Sequence, residues 1–201
     1  DIKKISDYWI AAQERIRLFN EETIFLKTHS ALCTLENNSF TNRNNTKAAI
    51  YVVRDPRNLI TSFAHHYSLN INQAFDFINN KNRMLLNDEY GQGDFGIATF
   101  LGNWPEHYKS WKNHKFSPIL IVKYEDLIKD TKNTFVSILN FLSTLMDIKI
   151  DEKKIINTVD SCSFEKLAEK EKTEGFFESV HSKENLKKLN FFYLGKKNDW
   201  K

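Results

Sequence analysis

Cysteine is nearly absent from this chain: Cys33 and Cys162 are the two in 201 residues, too few for a disulfide framework. Both lie among apolar or small residues, so buried free thiols, a reducing compartment and a default cytoplasmic location are expected. No run of 18 apolar residues occurs, which excludes a transmembrane helix within these residues, and no signal peptide is visible. Charge of one sign is also lacking. A net charge of +3 is too small for a nucleic-acid surface, although it suits an anionic small-molecule ligand. Proline and glycine number only three and six beside abundant Lys, Asn, Ile and Phe, which reads as a bias toward A/T-rich codons. No Gly-x-x-x-x-Gly-Lys-Ser/Thr run is present, and no metal site is read: His65 and His66 are adjacent, while His107 and His114 lack a thiolate or a His-Glu-x-x-His pattern.

What is present is the profile of a globular protein, 41% hydrophobic, 27% charged and 13% aromatic, long enough to bury one core. Apolar spacing predicts a helix over 3–18, a short strand at 23–26 and a strand at 48–53 covered on both faces. Asp55 as N-cap and Pro56 in the first turn predict a helix from 57 to 68. Further helices are expected at 71–82, 97–114, 131–145, 151–158 and 164–171, and a strand at 119–122 after Pro118. Residues 87–96 and 172–201 read as polar, irregular segments. Strands alternating with helices argue for an α/β fold with a parallel β-sheet flanked by helices.

The chemistry-bearing residues sit at the three strand ends, where open parallel sheets bind ligands. They are Lys27-Thr28-His29, Arg54-Asp55-Pro56-Arg57 and Tyr124-Glu125-Asp126. The first two also have a plainer reading, as a hydrogen-bonded structural histidine and as a helix cap with surface charge.

Together and in this order they resemble the sulfotransferase superfamily, over roughly residues 21–201. The strongest block is Tyr51 to Asn58 followed by Ser62. The resemblance implies a P-loop-like three-layer fold and a donor, 3′-phosphoadenosine-5′-phosphosulfate (PAPS), without a metal. It implies that Arg54 and Ser62, eight residues apart, bind the donor's 3′-phosphate; a helix N-terminus and a forked guanidinium both favour such an anion. His29 would take the acceptor's proton, as an imidazole with an ordinary pKa of about 6.5 can, and Lys27 would steady charge on the transferring group. Tyr124 and the Ser163-Phe164 segment would lie near the adenine, and Gly195 and Lys196 near the 3′-phosphate. Trp104 and Trp111 would sit in a helix below the acceptor side, although plain core packing is the favoured reading of both. A small-molecule or glycan acceptor is implied, its identity set by segments 30–46, 68–96 and 172–190.

Two departures stand out. The family's phosphosulfate loop, approximately Pro-Lys-Ser-Gly-Thr-Thr-Trp, has no counterpart, so 1–201 is expected to be one partial domain cut at both ends, its first central strand missing. Tyr193 and Leu194 occupy the Arg-Lys positions of the family's Arg-Lys-Gly block, leaving Lys196 or Lys197 as candidate substitutes. A degenerate sulfotransferase-like module that binds a glycan or protein, or a P-loop kinase, are the alternative functions.

Overall fold

A computed structural model describes residues 2–16, 23–87, 97–182, 185–198 and 200. It divides into two compact units, Asp1–Ala49 with Phe77–Ile119, and Ile50–Asp76 with Leu120–Lys201. β3 (Ala49–Val53) pairs with β6 (Ile119–Lys123) in a parallel ladder flanked by helices, the expected α/β arrangement. Among the described residues no helix is long and apolar enough to cross a membrane.

In the first unit a 3-10 turn (Ile2–Tyr8) leads into α1 (Trp9–Glu14), so the expected helix over 3–18 is shorter and irregular at its start, with 17–18 outside the described residues. A small hairpin, β1 (Thr34–Leu35) and β2 (Asn38–Ser39), turns through Glu36 and Asn37, both at positive φ. Trp9 lies edge-on to Phe40 and Phe100, each 5.5 Å away, and anchors this core.

Two sequence expectations change here. Residues 23–26 form no strand, and Ile24, Phe25 and Leu26 are exposed. An apolar run becomes a strand only when a neighbouring backbone accepts its hydrogen bonds, and no ladder partner for it occurs among the described residues. The expected helix over 97–114 is instead β5 (Ile97–Phe100), paired antiparallel with β4 (Met84–Asn87), followed by α4 (Trp104–Lys112). Gly102 at φ +62 breaks the chain, Asn103 caps α4 by accepting from the Glu106 amide at 2.9 Å, and Pro105 stands in the first turn. A proline there has no N–H for a helix running in from Leu101, so the helix has to start beside it. The polar stretch expected over 87–96 lies outside the described residues beyond Asn87.

The second unit carries α2 (Pro56–His66), α5 (Tyr124–Lys129), α6 (Thr131–Ser143), α7 (Glu152–Ser161), α8 (Phe164–Glu174) and a hairpin, β7 (Val180–His181) with β8 (Lys188–Leu189). α3 (Ile71–Asn79) runs across the division between the units. Aspartates start three of these helices, Asp55, Asp130 and Asp151 each accepting a backbone N–H from the first turn at 2.9–3.1 Å. Val52 is 56% exposed, so β3 is not covered on both faces as its apolar run suggested. Cys162, expected to be buried, is exposed at the C-cap of α7, while Cys33 is half-buried and its thiol is pushed up by that burial.

A candidate anion-binding site

The turn from β3 into α2 separates two arginines by function. Asp55, as N-cap, takes the Arg57 amide and side-chain Nε, both at 2.9 Å, and pairs with its guanidinium at 2.5 Å. The Arg57 side-chain hydrogen bond holds the Asp55 carboxyl below its ordinary range. Arg57 also covers the Trp200 ring at 3.5 Å. The Asp55 amide donates to Glu125 Oε1 at 2.9 Å, tying the start of α2 to α5. Both carboxylates are thereby occupied.

Arg54 is free of that pair. Its Nη1 donates to Ser62 Oγ at 3.0 Å, and its guanidinium lies over the Tyr124 ring, 4.4 Å from the centroid. Its Nε is buried and has no partner among the described residues. Arg54, Ser62 and Tyr124, named from sequence at separate positions, therefore form one cluster at the C-terminal end of β3 and β6.

The C-terminal segment completes it. Asn198 donates to Ser62 Oγ at 2.9 Å and to the Asn58 carbonyl at 3.0 Å, and accepts from Thr61 Oγ1 at 2.5 Å. Buried Asn58 accepts in turn from the Trp200 amide at 2.7 Å. Gly195, at φ +54, sits against Phe164 so closely that a Cβ would lie 2.8 Å from the ring. That contact joins two predicted site segments, Ser163-Phe164 and Gly195-Lys196. Ser163 starts α8 with no capping bond from its hydroxyl, and Lys196 is exposed in the turn Gly195–Lys197.

Glu171 on α8 holds this segment in place. It is 4% exposed, yet its carboxylate accepts from Ser179 Oγ at 2.5 Å and from the Phe191 and Phe192 amides at 2.7 and 3.0 Å. Burial alone would raise its pKa; these hydrogen bonds outweigh it and hold the carboxyl low. Tyr193 stacks on His65 at 3.8 Å, and His65 Nε2 donates to the Asn190 carbonyl at 2.8 Å. Neither Asn198 nor Glu171 stood out in the sequence, since neither carries a motif of its own.

His29 and Lys27 belong to the first unit, both exposed. The backbone around His29 is fastened to α4 and β5 at four points. His107 Nε2 donates to the His29 carbonyl at 3.1 Å, and buried Trp111 donates to the Ser30 carbonyl at 3.0 Å. The Ala31 amide donates to the Phe100 carbonyl at 2.7 Å and the Leu32 amide to Ser110 Oγ at 3.0 Å. Burial lowers the His107 pKa, against the opposing pull of its hydrogen bond to the His29 backbone. Trp111 is thus a core residue with a specific polar task.

Curated proteins similar to this chain include luciferin sulfotransferase of Photinus pyralis, 28% identical over 148 residues, covering 73% of this chain and 36% of that protein. Sulfotransferase 1C2 of Homo sapiens is 28% identical over 183 residues, covering 88% of this chain and 54% of that protein. Mouse sulfotransferase SULT7A1, solved in complex with PAP, aligns over 59% of this chain and 39% of that one at 23% identity, with a TM-score of 0.43. The chain spans between a third and about half of the length of the curated relatives it matches. Residues 7–201 match the family model of the sulfotransferase domain, and the chain belongs to that family.

Proposed function

We propose that this protein transfers a sulfuryl group from PAPS to a hydroxyl or amine of a small-molecule or glycan acceptor. The observation that carries the reading is the pairing of Arg54 with Ser62 of α2, with the Arg54 Nε buried and without a partner among the described residues. An orphaned buried donor costs about 1–3 kcal/mol, and a phosphate oxygen would relieve it. Arg54 stands just before the first turn of α2, at the positive end of that helix's dipole. Phe164, packed on Gly195, offers an aromatic face for the adenine, with Tyr124 steadying Arg54.

In the transfer, a lone pair of the acceptor attacks the sulfur while the bond from sulfur to the bridging phosphate oxygen breaks. His29 takes the acceptor's proton, Lys27 supports charge on the sulfuryl oxygens, and 3′-phosphoadenosine-5′-phosphate (PAP) leaves. Fastening residues 29–32 to α4 and β5 keeps the base in position, which is where much of such a rate advantage originates. A second reading, a non-catalytic binding module, is favoured by Tyr193, whose ring at an expected cation position is occupied with His65.

Calorimetric titration of PAP and AMP into the intact protein distinguishes them. The enzyme reading expects PAP to bind at least about tenfold tighter than AMP, roughly the effect of one charge-assisted bond. Equal affinities would overturn it. His29→Ala is expected to lose most turnover while PAP affinity stays the same; retained turnover would leave His29 a structural residue.

A further inference from the structure

Resting on the reading that Arg54 and Ser62 hold the 3′-phosphate, the hydrogen-bond pattern around Ser62 identifies a further ligand. Ser62 Oγ accepts two hydrogen bonds, from Arg54 Nη1 at 3.0 Å and from Asn198 Nδ2 at 2.9 Å. Both lone pairs are filled, so the hydroxyl hydrogen points elsewhere, and its one acceptor among the described residues, the Asn58 carbonyl, is a distant 3.5 Å away. Two donors are thus resting on a neutral oxygen whose own proton is poorly used. An arriving anion can accept from all three groups, and bonds to an ionised acceptor are about twice as strong as neutral ones.

The orientation of the Asn198 amide is fixed by its neighbours. Only an NH2 group can donate to the Asn58 carbonyl, and the opposite oxygen accepts from Thr61 Oγ1. The residue is held from both sides in the chain, by the Trp200 amide on Asn58 and by the Glu171 clamp on Phe191 and Phe192. Tyr193 and Leu194, at the positions where two cations were expected, leave Arg54 as the guanidinium of this cluster.

We propose that Asn198 is the third ligand of the donor's 3′-phosphate, turning the proton that now rests on Ser62 Oγ to a phosphate oxygen. It takes up part of the role the missing cations would have served, with a neutral donor in place of charge. Affinities of the intact protein and of N198A for PAP and AMP, measured by calorimetry, test this. N198A is expected to lose about 10- to 100-fold in PAP affinity, the value of one hydrogen bond to a charged group, with AMP affinity unchanged. N198D keeps the shape and the acceptor for Thr61 but places a negative charge at the phosphate, so its PAP loss should exceed that of N198A. It carries the comparison if N198A is unstable.

The outcomes separate cleanly. If the parent prefers PAP and both variants keep that preference, Asn198 is not a ligand. Parallel losses of PAP and AMP would make its role purely structural and equally overturn the proposal. A parent that binds PAP and AMP alike removes the 3′-phosphate reading itself.

Discussion

Replacing Glu171 by glutamine takes one acceptor away from a buried carboxylate that serves three donors. Oε1 receives Ser179 and the Phe191 amide, and Oε2 receives the Phe192 amide. The glutamine oxygen can keep the first two, but its NH2 then faces the Phe192 N–H, donor against donor. A lost bond to a charged group and the weakening of the other two come to about 2–4 kcal/mol. For a chain of this size that lowers the thermal midpoint by roughly 4–16 °C.

Circular dichroism melts at pH 7 and across the acid range measure it. The folded-state pKa of Glu171 is depressed: burial opposes ionisation, but Ser179, the two amides and the charge of Lys188 outweigh it. Its stabilisation is therefore complete above the ordinary value of 4.5 and is lost as pH falls through the lower folded value. The gap between parent and E171Q should be widest near neutrality and close in acid. Equal midpoints at pH 7 with parallel acid limbs would refute the clamp.

Two further substitutions probe the site's supports. Gly195→Ala puts a Cβ 2.8 Å from the Phe164 ring at a backbone φ of +54, which should cost about 2–4 kcal/mol from strain and overpacking and weaken PAP binding; urea denaturation and calorimetry report each effect, and unchanged values would mean that the ring moves aside freely. Trp111→Phe leaves the Ser30 carbonyl without its buried donor, a loss of about 1–3 kcal/mol by thermal melt, and should lower turnover more than PAP affinity because it loosens the His29 segment.

Local chemistry was legible before any fold was known. Asp55 before Pro56 announced the start of α2, and the family resemblance implied that Arg54 and Ser62, eight residues apart, share one site; the structure brings the two side chains within a hydrogen bond. Those relations are short in sequence and follow from backbone geometry. Pro105 likewise carried the signal that a helix starts at Trp104, although the aromatic spacing through Phe100 concealed it. The apolar segment at 23–26 looked like a strand, but strand formation depends on a partner that its own residues cannot specify. Asn198 and Glu171 were invisible for a related reason. Asn198 meets Ser62 across 136 positions, and Glu171 binds backbone amides some twenty residues away, which every residue but proline possesses. The sequence by itself determined the family, the Asp55 cap and the place of Arg54 at the end of its strand; only tertiary structure decided which neutral side chains surround that arginine, because contacts between distant residues arise from folding and leave no periodic trace in the chain.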